Sequence, residues 1–183
     1  MGQFCESRNG KVNVMDTTAY IGIGANLPGL DGRGPLQTCL WALGLLDRLP
    51  GLRVIHASHW YKTVPVPASD QPEYINAVVA MLVDPDLPLD TGLFLARLMS
   101  IEATCGRTRG EPNAARVLDL DIIAIGGMVQ TSPDPILPHP RMHERGFVLA
   151  PMVDVAPGWV HPILGQTATN LLRALPPQGV QRM

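Results

Sequence analysis

Lysine is almost missing from this chain of 183 residues: of 14 basic residues, Lys11 and Lys62 are the two lysines and the other twelve are arginine. Cysteine is scarce too. Cys5, Cys39 and Cys105 are odd in number and widely spaced, which excludes a disulfide framework and a CxxC metal site. A reducing cytoplasm is therefore the expected setting. Aromatic residues make up 5% of the chain and the formal net charge is −2, which argues against a nucleic-acid surface as the main business. No apolar run approaches the ~18 residues of a membrane span. The longest is Ala77 to Val83.

What is present belongs to a globular protein. Hydrophobic residues reach 46% and charged residues 16%, enough apolar material for one domain with a sizeable core. Residues 1–16 are polar and lack the apolar core of a signal peptide, so a loose arm is expected there, followed by a single domain over 17–183.

Apolar periodicity sets the order of elements. Thr18 to Gly24 reads as a strand, and Leu36 to Leu49 as a helix stopped by Pro50-Gly51. Arg53 to Thr63 reads as a second strand. Val64 to Pro72 holds three prolines and is a loop. Tyr74 to Val83 is the third strand, and Asp90 to Cys105 the second helix. Leu118 to Ile125 is the fourth strand, with Met128 to Gln130 expected to pair with it across Gly126-Gly127. Helices are expected within Glu144 to Val155 and over Thr167 to Leu175. The order β-α-β-β-α-β predicts an α+β, ferredoxin-like antiparallel sheet with both helices on one face and C-terminal helical additions.

The fourth strand carries the chemistry. Side chains alternate along a strand, so Asp119 and Asp121 share one face, while Leu118, Leu120 and Ile122 take the other. Paired carboxylates repel, and a hard divalent cation with oxygen ligands removes that repulsion. Arg107, Arg109 and Arg116 precede the pair, and His139, Arg141, His143 and Arg145 follow it. Arginine is the side chain for planar phosphate contacts, so carboxylates beside arginines suit polyphosphate chemistry. Tyr74, Asn76 and Val78 likewise share one face of the third strand, and a polar Asn there wants a partner. On the residues alone, a metal-dependent phosphohydrolase and a non-enzymatic binding module stay open. A hydrolase would need a water-orienting base, for which His139 and Glu102 are the candidates.

In chain order the sequence then offers Tyr20-Ile21-Gly22-Ile23-Gly24-Ala25-Asn26-Leu27, Tyr61-Lys62-Thr63, and Gln71-Pro72-Glu73-Tyr74-Ile75-Asn76-Ala77. Ile101-Glu102 with Gly106-Arg107 follow, and Arg116 with Leu118-Asp119-Leu120-Asp121. Last come Pro138-His139 and Arg145-Gly146-Phe147-Val148-Leu149-Ala150-Pro151. With these residues the chain resembles the 6-hydroxymethyl-7,8-dihydropterin pyrophosphokinases of the folate pathway, from about Tyr20 to Pro162.

The resemblance implies transfer of pyrophosphate from ATP to the hydroxymethyl group of the pterin, with release of AMP. It implies two Mg²⁺ ions on Asp119 and Asp121, which with Arg107 and Arg116 form the catalytic set. It implies a pterin slot of Tyr74, Phe147 and Asn76, completed by backbone near Thr63 and Val66. Arg107, Arg116, His139 and Arg145 would meet phosphates, and Glu102 and Ile122 match the nucleotide side. Arg141 and His143 are expected to be solvated, and Asn26 to serve its turn. Gly110 to Ala115 holds no aromatic residue, where the family often has one that closes over the pterin. The resemblance leaves open whether other folate-pathway enzymes are partners.

Overall fold

The computed structural model describes residues 18–87, 89–106 and 114–183. The arm expected over 1–16, Arg107, Arg109 and most of the 110–115 loop lie outside the described residues. Within them the elements run β1 (Thr18–Ala25), α1 (Pro35–Leu46), β2 (Leu52–Ala57), β3 (Tyr61–Thr63), β4 (Tyr74–Val83), α2 (Thr91–Thr104), β5 (Asp119–Ile125), a 3₁₀ turn (Met142–Glu144), α3 (Gly146–Val155), α4 (Ala168–Ala174) and β6 (Val180–Arg182).

The strands form one sheet in the order β5-β1-β4-β3-β6, with β2 also on β4, and every pairing is antiparallel. β4 pairs along its whole length, which fits its nearly continuous apolar sequence. The sheet separates two cores. Ile21, Ile23, Val79, Met81, Leu120 and Ile122 face α1 and α2, where they meet Leu46, Phe94 and Leu98. Tyr20, Val78, Ala80 and Ile123 face the other way, onto Leu149 and Met152 of α3 and Leu171 of α4. The first two helices thus share a face as expected, and the later helices cover the opposite one. Cys39 and Cys105 are free and buried, and burial pushes the Cys39 thiol up to about 12.

Three expectations need correction. The stretch from Arg53 to Thr63 is two strands, not one. Three residues, 58–60, stand opposite two on β4, and the Ser58 hydroxyl accepts the Val78 amide at 3.0 Å. That side-chain bond replaces a ladder bond and interrupts the strand. Met128 to Gln130 does not extend β5: Met128 closes a turn onto the Ile125 carbonyl, and Gln130 bridges Leu137 instead. β6, absent from the sequence reading, pairs with β3.

Candidate active site

α3 covers only part of its sheet face. Beyond Val78 and Ala80 the same face of β4 continues to Asn76 and Tyr74, which line an open cavity of about 340 Å³. Asp119, Asp121, Arg116, His139, Arg141, Arg145, Phe147, Thr63 and the Val64–Pro67 segment line it too. The sequence thus brings together two strand faces chosen by alternation and two loops that alternation does not reach.

The floor depends on Gly24 of β1, which pairs with Asn76 on one side and Asp119 on the other. A Cβ at Gly24 would stand 2.9 Å from Asn76 Oδ1 and 3.9 Å from Asp119 Cβ. Any larger residue there would intrude between the amide and the carboxylate. Asn76 is buried and donates to Thr63 Oγ1 at 2.7 Å, so its amide plane is set before any ligand arrives. The Tyr74 hydroxyl shares its proton between Gln71 Oε1 at 3.1 Å and the Ala114 carbonyl at 3.3 Å. Phe147 stands in the first turn of α3, with the Arg145 guanidinium carbon 5.5 Å from its ring centre.

The other end of the cavity is charged. Arg116 is hydrogen-bonded to Asp119, and both are only partly exposed. The Arg116 backbone is held from both directions: its amide donates to Asn26 Oδ1 at 2.7 Å, and its carbonyl accepts from the Asn26 and Leu27 amides. Asn26 also donates to the Pro72 carbonyl at 3.1 Å, so one buried amide ties three loops around the site. Asn26 therefore does more than stabilise its own turn.

His139 is fixed by its amide, which donates to the Ile123 carbonyl at 2.8 Å, and by its Nδ1, which accepts from the Arg141 amide. Burial, with Arg145 and Arg141 nearby, pushes its imidazole down to about 4. It is neutral at pH 7. Arg145 feels the same burial and the same neighbour, and its pKa is lowered from the usual arginine value.

Of the other expected site residues, Val66 is on the cavity wall, and Arg107 lies outside the described residues. Two take different places. Glu102 is buried on α2 and accepts the Leu120 amide at 2.7 Å, which anchors the acidic end of β5 from behind. The Ile122 side chain packs in the core against α1 and α2, so only its backbone can serve a ligand on the cavity side. His143 is partly exposed, as expected, and its ring stands 6.0 Å from that of His161, centre to centre. Arg141 is exposed but faces the cavity. Gly24 and the tying role of Asn26 escaped the sequence reading, because both follow from strand register and loop closure.

The residues fit a hard cation. Two carboxylates on one strand face open onto the cavity beside arginines. Among the described residues no third His, Cys, Asp or Glu joins them. A Mg²⁺ held there would take its remaining oxygens from water or phosphate, as that ion prefers.

The sequence model of the family 7,8-dihydro-6-hydroxymethylpterin-pyrophosphokinase (HPPK) matches residues 20–157. The 2-amino-4-hydroxy-6-hydroxymethyldihydropteridine pyrophosphokinase of Methylorubrum extorquens is 36% identical over 168 residues, covering 91% of this chain and 99% of that protein. The protein of the same name from Pseudomonas aeruginosa is also 36% identical, over 90% of this chain and 95% of its own. Among solved structures, wild-type Plasmodium falciparum HPPK-DHPS superposes with a TM-score of 0.63 at 13% identity, over 85% of this chain and 44% of that one. That last likeness is one of fold.

Proposed function

The chain belongs to the 7,8-dihydro-6-hydroxymethylpterin-pyrophosphokinase family, and from that premise we propose that it transfers pyrophosphate from ATP to the hydroxymethyl group of 6-hydroxymethyl-7,8-dihydropterin. One observation carries the reading: a single cavity has an aromatic and amide slot at one end and carboxylates with arginines at the other. The sheet order, with α1 and α2 on one face, supports a ferredoxin-like βαββαβ core whose second strand is broken into β2 and β3.

The pterin ring would lie between Tyr74 and Phe147, with its amide edge on Asn76. Thr63 already holds the Asn76 donor side, so the orientation of that amide is decided in advance. Arg116, Arg145 and Arg107, the last outside the described residues, would grip the triphosphate, and neutral His139 would offer a hydrogen bond. Asp119 and Asp121 would hold Mg²⁺, two ions in all, which supplies charge neutralisation along the triphosphate. Arg116 would exchange Asp119 for a phosphate oxygen. The pterin hydroxyl oxygen would bond the β-phosphorus, the bond from that phosphorus to the α-phosphate oxygen would break, AMP would leave with that oxygen, and the hydroxyl proton would pass to solvent. Positioning and electrostatics are the protein's share of this chemistry.

No helix among the described residues is long and apolar enough to cross a membrane, and a cytoplasmic location is part of the proposal. Other enzymes of the folate pathway are included in the proposal as partners. The test is chromatography of labelled ATP with Mg²⁺, with and without reduced pterin. AMP formed only with pterin is expected. Orthophosphate formed without pterin would overturn the reading in favour of hydrolysis.

A further inference from the structure

β6 lies beyond the family-matched span of residues 20–157, yet the segment that carries it touches both walls of the cavity. On one wall, Val180 pairs with Thr63, whose hydroxyl takes the Asn76 amide. On the other, Gln178 brackets Arg145. Gln178 Oε1 accepts the Gly146 amide at 2.6 Å, and its Nε2 donates to the Glu144 carbonyl at 2.9 Å. These are the peptide groups on either side of Arg145.

The bracket supplies something α3 lacks. Arg145 is the N-cap residue of α3 and makes no side-chain cap bond, because an arginine side chain has no acceptor to offer. The Gly146 amide would otherwise be one of the orphan donors of the helix start. Gln178 provides that acceptor from 32 residues away. Gly146 makes room for it: a Cβ there would stand 3.0 Å from Gln178 Oε1 and 3.3 Å from Val180 Cγ2. Gly179 turns the chain at φ +63 against Val64, another wall residue. The strand is held at its far end as well. Met183 donates to the Trp60 carbonyl at 2.9 Å, Arg182 meets the His59 ring, and His59 and Tyr61 share Asp154 of α3.

We propose that Gln178 is a positioning residue of this site, and that residues 178–180 form a strap that sets Arg145 and Phe147 relative to Thr63 and Asn76. The proposal rests on the pyrophosphokinase reading for its kinetic consequence but not for its structural one. Arg145 stands among the phosphate-side groups and Phe147 in the pterin slot. Releasing the first turn of α3 therefore loosens the grip on both substrates together.

The experiment compares wild type with Gln178→Ala, Gln178→Glu and Arg182→Ala in the full chain. Amide exchange is read over residues 144–149 and 74–80 without ligand, beside the melting temperature and steady-state AMP formation. Gln178→Ala should lose protection over 144–149 and keep it over 74–80. Its KM for pterin and for ATP should both rise roughly 10-fold, with kcat changing less. Gln178→Glu keeps the acceptor and loses the donor, so it should fall between wild type and the alanine variant. Arg182→Ala loosens the strand away from the bracket and should lower the melting temperature with both KM values near wild type. Unchanged exchange over 144–149 in Gln178→Ala overturns the strap whatever the activity. So does a lowered melting temperature of Gln178→Ala with both of its KM values unmoved. If wild type forms no AMP, the pyrophosphokinase reading falls instead, and the exchange data alone judge the strap.

Discussion

At the scale of single residues, Asp119 and Asp121 differ in what surrounds them. Asp119 is hydrogen-bonded to Arg116, so Asp119→Ala removes a partner as well as a repulsion. Both Asp119→Ala and Asp121→Ala should lower kcat by roughly 100-fold or more, the scale of losing a preorganised charge at the reacting group. The stability change for Asp119→Ala should stay within about 1 kcal/mol, because the ion pair is partly solvated. Near-wild-type turnover of either variant would remove the metal assignment. Asn76→Ala strips the Thr63 hydroxyl of its donor and, on the proposed reading, the pterin edge of its reader. A loss of roughly 1–3 kcal/mol is expected, seen as a higher KM for pterin with the KM for ATP unmoved. Equal changes in both would place the pterin elsewhere. His139 gives a pH prediction with a definite sign. Its folded value is about 4, below the ordinary 6.5, so the neutral form favours the fold. Stability from this group is complete above 6.5 and is lost as pH falls from 6.5 through about 4. Bound phosphate should raise the value, since an anion favours the charged ring. Histidine NMR titration with and without an ATP analogue checks both, and an unliganded value of 6.5 would contradict them. The paired aspartates and the Tyr74–Asn76 face were legible because alternation is local. Gly24 and the His139 shift were not, because each depends on neighbours brought in by strand register or by loop closure.

Among elements, α2 and β5 act as a pair through Glu102. Its carboxylate accepts the Leu120 amide in a buried setting. Glu102→Ala leaves that amide without this acceptor and should cost about 1–3 kcal/mol. Glu102→Gln retains an acceptor and should recover much of the loss. Thermal unfolding of both variants, with AMP formation alongside, decides the matter. Equal stability of wild type and Glu102→Ala would show that the anchor carries no weight. α2 itself was legible almost residue for residue, because Asp90 caps it at 2.9 Å and Gly106 follows at φ +84. The break between β2 and β3 was not legible. The stretch from Arg53 to Thr63 is rich in β-formers, and the bond between Ser58 and Val78 that interrupts it is set by register. β6 was missed for a different reason: three residues carry no period, and the partner that makes them a strand lies far away in sequence.

In the whole molecule, one strand serves both stability and recognition. On one face of β4, Val78 and Ala80 pack under α3, and two residues further on Asn76 reaches the cavity. The charged end is built differently. Arg116 precedes β5 and is held by Asn26 from a loop, and His139 sits in an irregular stretch. Amides of Asn76 to Val79 should therefore exchange near the global unfolding rate, and those of Ala114 to Val117 much faster. Native-state hydrogen exchange measures the difference, and equal rates would refute it. The two ends of the cavity then answer differently to mutation. Changes at the nucleotide end spend little of the folding free energy, whereas changes in the ring slot disturb the central strand of the sheet. As far as stability alone is concerned, this architecture leaves more room to vary the grip on a nucleotide than to vary the ring it accepts.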